Sequence, residues 1–317
     1  MTAILLALAS AAGYGGSDYC AGLAARRTSV IRVTLLAEAA AAALVALVLP
    51  WAGLRQPSLV SLGWGAAGGA GGALGALALY MGFRRAAFSV AAPLSAVGAA
   101  GFSVLAGLLL GEQPGGLALT GIALALPAII GVSVSPAAAE DRPAEDRPAE
   151  DRPAEDRPAE DRPAEDPPAE DPPAAAGRHA QGVIWGLLAG ACFAVLFIAL
   201  NRAGSRGGLW PVAAGQGAAL VVVGGIGAVT RDLHLPAPGS RRLAVLTGVA
   251  GGGGTILYFL ATQAGLLAVT AVLTSLYPAV TIVAARLLLG ERLTVVRLAG
   301  LGLAAASVGL IAASGIG

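Results

Sequence analysis

The chain has 317 residues, of which 56% are hydrophobic and only 12% are charged, and its formal net charge is +1. A soluble domain has about 25% charged residues, so this composition, with a mean hydropathy of +0.76, excludes an ordinary soluble protein. We expect no nucleic-acid partner.

Five long apolar runs occupy the first part of the chain, at residues 3–22, 30–50, 58–82, 87–110 and 116–134. Each is close to the length of about 20 residues that crosses a bilayer as a helix. The first run lacks the basic start of a signal peptide and has polar Ser17, Asp18 and Tyr19 near its end. We therefore interpret it as a membrane span.

A segment of low complexity follows, in which Ala139–Pro173 consists of five copies of AEDRP and two of AEDPP. Its regularly spaced prolines forbid a continuous helix, and it contains no apolar residue larger than alanine. We expect a disordered linker over residues 136–178, which would reach about 100 Å as extended polyproline II. Such a linker is either a tolerated spacer or a docking segment for a partner.

Five further apolar runs complete the chain, at residues 181–201, 208–229, 243–263, 266–289 and 295–315. Ten such runs in series predict an all-α integral membrane protein with ten transmembrane helices. We expect a multi-pass protein of the cytoplasmic membrane, acting as a monomer or a homodimer.

The two halves of the chain align with each other at an offset of 178–180 residues. The aligned pairs include Glu38 with Gln216, Tyr80 with Tyr258, and the two copies of LLLGE at Leu108–Glu112 and Leu287–Glu291. Because each half has five spans, the second copy would enter the membrane with the opposite orientation, as in many transporters. The sequence therefore predicts two inverted five-helix repeats, at residues 1–135 and 179–317.

The end of the second half, which contains YPAVTIVAARLLLGERLTVVRLAGLGL, resembles EamA-type members of the drug/metabolite transporter superfamily. In that family a helix of small residues with a central proline ends in LGE, and a glycine-containing last helix follows. Pro278, Gly290, Glu291 and Gly300 fit this pattern. The first half repeats it more loosely, with Gly111 and Glu112 in the LGE motif but Ala99 where Pro278 stands.

The resemblance implies a secondary transporter that exports or exchanges a small metabolite or drug-like solute, and it fixes no substrate. It extends to the opening YGGSDYCAGLAARR, where Tyr14 stands in place of the usual tryptophan. A membrane-embedded enzyme would need paired catalytic groups, which we do not find, so we expect no enzyme, no cofactor and no metal site. A non-transporting receptor or scaffold that acts through the charged linker is the alternative.

Glu38 is the strongest candidate for substrate or ion binding. A carboxylate near the bilayer centre costs at least about 2.5–3.5 kcal/mol, which marks it as a functional candidate. An apolar surrounding favours its protonated form, so Glu38 could bind and release a proton. Its repeat mate Gln216 is polar but cannot ionise. The alternative is that a protonated Glu38 only links two helices by a hydrogen bond.

Asp18 is the second candidate, since it would line the mouth of the pathway, although it could instead lie in the headgroup region or pair with Arg26 or Arg27. Weaker candidates for the binding site are Tyr14, Tyr80, Tyr258 and Thr274. The tyrosines could instead belong to the interfacial aromatic belt, and threonines commonly bond within their own helix.

The two LLLGE copies are interpreted as structural corners, and Pro278 is expected to break the ninth span. Glycine suits the left-handed position after a helix, and the following glutamate is expected near the start of the next helix. Glycines at four-residue spacing in the third span predict close helix packing.

The orientation of the chain stays open at this point. The resemblance implies that both termini lie in the cytoplasm. The positive-inside rule favours the opposite, because the odd-numbered connections hold ten arginines and the even-numbered ones three. A carboxy-terminal reporter that is active only in the cytoplasm separates the two arrangements.

Overall fold

The computed structural model describes residues 1–52, 56–85, 88–133, 172–280, 283 and 294–315. In these ranges the protein is all-helical. Its α-helices are α1 (Thr2–Ala25), α2 (Val30–Val48), α3 (Leu59–Arg85), α4 (Phe88–Leu109), α5 (Gly116–Ser133), α6 (Pro172–Ala203), α7 (Trp210–Val229), α8 (Pro238–Ala264), α9 (Leu267–Thr274) and α10 (Val295–Ala313). A short 3₁₀ turn, Leu49–Ala52, follows α2.

Eight helical segments in the described ranges are long and apolar enough to cross a membrane. They correspond to α2 through α8 and α10, whereas α9 belongs to a shorter apolar segment, Leu267–Val280. Large apolar side chains such as Leu109, Val221 and Val295 are exposed on the outside of the bundle, where a soluble protein would carry charge. The chain is therefore a multi-pass membrane protein.

The helices of the two halves pack against each other rather than as separate bundles. Helix α1 packs on α8 and α3 packs on α6, while α2 lies against α7, α4 against α9 and α5 against α10. Alanine, valine and leucine fill the contacts, and the largest cluster of buried residues joins α1, α4, α5, α9 and α10.

Glycine makes the closest of these contacts possible, as the four-residue spacing predicted. A Cβ atom on Gly69 of α3 would overlap the backbone of Gly215 in α7, and one on Gly248 of α8 would overlap the carbonyl of Ala37 in α2. Both contacts flank the cavity described below, so the backbone spacing of α2, α3, α7 and α8 sets its width.

The predicted break at Pro278 is present in the structure. Helix α9 ends at Thr274, and a turn leads into a further helical stretch at residues 277–280. Proline has no N–H with which to bond the carbonyl four residues earlier, and that carbonyl belongs to Thr274.

The corner after α4 has the predicted glycine geometry. Gly111 has a φ of +89°, and the Glu112 N–H donates to the Gly107 carbonyl at 2.9 Å, which together form a Schellman motif. The expectation for Glu112 itself was wrong, because its carboxylate does not serve the following helix α5. It accepts hydrogen bonds from the N–H groups of Leu267 and Ala268, at 2.6 and 2.9 Å, at the start of α9 in the other half.

The predicted linker 136–178 lies largely outside the described residues, as do Gly290 and Glu291. At its end the prediction differs from the structure, because α6 begins at Pro172 rather than near residue 181. The last AEDPP copy ends at Pro173 and an alanine-rich stretch follows. Proline is tolerated in the first turn of a helix and alanine favours helix, so the helix starts early.

Candidate functional site

A cavity of about 100 Å³ lies between the two halves of the bundle. It is lined by α1, α2 and α3 from the first half and by α6, α7 and α8 from the second. Five of the seven residues predicted as binding candidates line it, namely Tyr14, Asp18, Glu38, Tyr80 and Gln216.

Two carboxylates line this cavity without a compensating cation. Asp18 comes from α1 and Glu38 from the middle of α2. Neither has a hydrogen bond or an ion pair to any residue in the described ranges. The lining residues found there include no arginine, lysine or histidine. Asp18 therefore does not pair with Arg26 or Arg27, which was one of the alternatives drawn from the sequence.

Gln216 brings the second half's polar group to the same cavity. Its side chain is only 8% exposed, and its Oε1 atom has no hydrogen-bond partner in the described part of the protein. A buried polar atom without a partner costs about 1–3 kcal/mol, so a position of this kind calls for a ligand or a functional reason. The sequence alignment of Glu38 with Gln216 thus corresponds to two residues that line one cavity.

The tyrosines are held in fixed positions on the cavity wall. The Tyr14 hydroxyl lies 3.0 Å from Oγ1 of Thr255, and the Thr255 hydroxyl donates to the Gly251 carbonyl. Since a hydroxyl has one proton, Tyr14 must be the donor to Thr255. Asp18 and Glu38 lie near enough to Tyr14 and Tyr80 to act on their hydroxyls electrostatically.

Two predicted candidates lie outside the lining of this cavity. Tyr258 is fully buried, its ring stacks on Phe197 with centroids 4.4 Å apart, and its hydroxyl donates to the Phe197 carbonyl. Thr274 is also fully buried, at the end of α9, and its hydroxyl donates to the Ala7 carbonyl at 3.4 Å. Tyr258 thus connects α8 with α6 within the second half. Thr274 connects α9 with α1 of the first half.

Several lining residues were not predicted from the sequence, among them Thr34, Phe193, Thr247 and Thr255. A signal existed for Thr34, which precedes Glu38 by four residues and so shares its helix face. Nothing in the sequence distinguished Thr247 or Thr255 from other threonines, because their place beside α1 depends on how α8 packs. Ser17 shows this dependence, since its hydroxyl donates to the Thr247 carbonyl at 3.0 Å.

Metal coordination finds no support within the described ranges, where no three His, Cys, Asp or Glu residues cluster. Two carboxylates and one amide could instead accept hydrogen bonds from a ligand. The site thus offers hydrogen-bond acceptors and aromatic faces to a ligand.

One ion pair lies away from the cavity, at the end of the bundle. Arg32 at the start of α2 pairs with Asp232 in the α7–α8 connection, and the Ser29 hydroxyl also donates to Asp232. The Ser29 hydrogen bond, with that of Arg32, holds the pKa of Asp232 below its ordinary value. Arg32 is thereby engaged with a partner other than Glu38.

Comparison with known proteins identifies the second half of the chain. The model of the EamA-like transporter family matches residues 180–313. Residues 180–313 are therefore similar to the EamA-like transporter family. The predicted resemblance to the drug/metabolite transporter superfamily is thereby confirmed.

The similarity in fold extends beyond this EamA-like half. A solved crystal structure of another protein has a TM-score of 0.70 with this chain and covers 97% of it, and 95% of that other chain is covered. Its sequence identity is 15%, so the similarity shows the fold alone. No curated protein matches the chain significantly in sequence.

Proposed function

We propose that the protein is a secondary active transporter that exports or exchanges a small metabolite or drug-like solute across the cytoplasmic membrane by alternating access. The observation that carries this proposal is the cavity between the halves, which is lined by Asp18, Glu38 and Gln216. Neither carboxylate has a partner in the described part of the chain. Transporters built from repeats have their sites between the repeats. The match of residues 180–313 to the EamA-like transporter family supports the same conclusion.

The architecture that we propose has ten transmembrane helices in two inverted repeats, at residues 1–135 and 179–317, with a linker over residues 136–178. The packing supports this two-fold arrangement. Contacts of α1 with α8 correspond to contacts of α6 with α3, while α2, α4 and α5 each pack on their own counterpart. A rocking motion of one repeat against the other would open the cavity to each side in turn.

We further propose that Glu38 couples transport to protons. The titratable groups around it in the cavity are Asp18 and Tyr14 on α1 and Tyr80 on α3. The facing helices α7 and α8 contribute Gln216, Thr247 and Thr255. The side chains of glutamine and threonine do not ionise at physiological pH. Because no cationic side chain in the described lining balances Glu38, its charge is neutralised by a proton or by a bound solute.

Untargeted metabolite profiling of cells with and without the protein tests the transport function. We expect at least one solute to change in concentration with the wild-type chain and not with Glu38→Gln. Asp232→Asn makes the same carboxyl-to-amide change outside the cavity and should behave as wild type when normalised to the amount of inserted protein. Identical metabolite profiles with and without the protein would argue against transport.

The coupling has its own test, in proteoliposomes that contain the solute found by profiling. Flux through the wild-type protein should depend on the pH difference across the membrane, and flux through Glu38→Gln should lose that dependence. Full pH-dependent flux in a correctly inserted Glu38→Gln protein would refute the coupling role.

A further inference from the structure

We infer that the cavity selects a compact organic cation that carries N–H groups, such as a primary ammonium or a guanidinium group. This inference rests on the proposed transport function and adds a substrate class to it. It starts from the composition of the cavity wall, where Asp18 and Glu38 are the ionisable acids and no basic side chain appears among the described lining residues.

Charge balance is the first argument for a cation. Two carboxylates in a low-dielectric site repel each other and lose hydration, and each costs several kcal/mol if it stays ionised without a partner. Asp18 and Glu38 have no ion pair or hydrogen bond in the described chain. A cationic solute and protons are therefore alternative occupants of the same two carboxylates, which makes their exchange a natural transport cycle.

Hydrogen bonding is the second argument, and it narrows the class to cations with N–H groups. The carboxylates of Asp18 and Glu38 accept hydrogen bonds and, when ionised, donate none. Gln216 is more than nine-tenths buried and presents an amide whose oxygen lacks a partner. An ammonium or guanidinium group supplies several donors for these acceptors, whereas a quaternary ammonium supplies none.

The size and the aromatic wall of the cavity are the third argument. Its volume is about 100 Å³. It lies well below the roughly 300–1,000 Å³ of pockets for drug-sized ligands, so it admits a small cation or the charged head of a longer one. The wall includes Tyr14, Tyr80 and Phe193, and aromatic faces attract cations.

Binding measurements on the purified full-length protein in lipid nanodiscs test this inference. Guanidinium is the probe, urea is its uncharged counterpart of the same shape, and tetramethylammonium is a cation without N–H groups. We expect saturable guanidinium binding that weakens as the pH falls, because protons compete for the carboxylates. Urea and tetramethylammonium should bind at least about tenfold more weakly, since hydrogen bonds between charged groups are lost.

Variants connect the binding to the cavity. Asp18→Asn and Glu38→Gln should each weaken guanidinium binding by about 10–100-fold, and Gln216→Leu should weaken it while leaving the competition with protons intact. Asp232→Asn should bind as wild type. Helical content and elution from a sizing column identify any variant that fails to fold. If a carboxylate variant fails to fold, Gln216→Leu serves as the independent test of the binding site.

The outcomes separate this inference from the transport function. Equal binding of urea, binding of tetramethylammonium alone, or no guanidinium binding to the wild-type protein overturns the cation inference. If metabolite profiling then still finds a neutral or anionic solute whose level depends on Glu38, transport stands and only the substrate class is wrong. If neither assay responds, both proposals are wrong.

Discussion

The contact of Glu112 with the start of α9 leads to a prediction about the stability of the assembled halves. Glu112 lies on the corner after α4 in the first half, and its two carboxylate oxygens accept the N–H groups of Leu267 and Ala268 in the second half. Leu267 and Ala268 are fully buried in the folded protein, so their N–H groups are largely shielded from water. Glu112→Ala would leave both N–H groups buried and without acceptors.

The expected loss of stability follows from these two hydrogen bonds. Loss of a capping side chain costs about 1 kcal/mol, loss of an anion at a helix N-terminus costs about 0.3–1 kcal/mol, and a buried donor without a partner costs about 1–3 kcal/mol. We expect Glu112→Ala to lower the free energy of unfolding by about 2–4 kcal/mol. Glu112→Gln keeps one acceptor oxygen and should lose about half as much.

This loss of stability is measured by thermal unfolding in detergent. The readout is the fraction of protein that still elutes as a monodisperse peak after heating. The Glu112→Ala protein should lose that peak at a temperature at least about 5 °C lower than wild type. Gly107→Ala provides an independent perturbation, because its new Cβ would lie 2.5 Å from Oε2 of Glu112 and would displace the carboxylate. Wild-type stability in both variants would refute the proposed role of the cap.

Three further predictions concern packing, charge and the linker. Gly248→Ala should reduce transport and lower stability by about 1–3 kcal/mol, because its Cβ would overlap α2 at Ala37, beside Glu38. The matched change Gly253→Ala, whose Cβ meets its nearest neighbour at 4.0 Å, should have little effect in the same flux and unfolding assays. Asp232→Asn should lower stability by at most about 1 kcal/mol at neutral pH. Since the folded state lowers the pKa of Asp232, this difference should shrink below about pH 4, and an unfolding series that shows the same difference at pH 3 and pH 7 would contradict it. Deletion of Ala139–Pro173 should preserve transport, and its loss in a protein that still reaches the membrane would favour the alternative in which the linker docks a partner.

The sequence by itself determined the class of the protein and much of its plan. Long apolar runs cannot be covered by a soluble fold, so composition and length were enough to predict membrane helices. The break near Pro278 could be predicted because the missing N–H is a property of the proline itself. The same is true of the glycine turn at Gly111, where the left-handed φ is a property of one residue and its neighbours.

The candidate site was predictable in part, and for a physical reason. Glu38 stood out because a carboxylate in an apolar helix is costly wherever the helix packs, and the repeat pointed to Gln216. Asp18 was found for a similar reason, and Tyr14 through the resemblance to EamA-type proteins. Thr247 and Thr255 were not, because a threonine satisfies its hydroxyl within its own helix and becomes part of a site only through its neighbours.

Tertiary structure decided which of the polar residues meet and what Glu112 does. The distance between α3 and α7 depends on glycine contacts between segments well over a hundred residues apart, such as Gly69 with Gly215. The target of the Glu112 carboxylate likewise depends on where the start of α9 lies. Helix formation is local and leaves its mark on each stretch of sequence, whereas the alignment of helices from two halves of a chain results from the packing of the whole bundle.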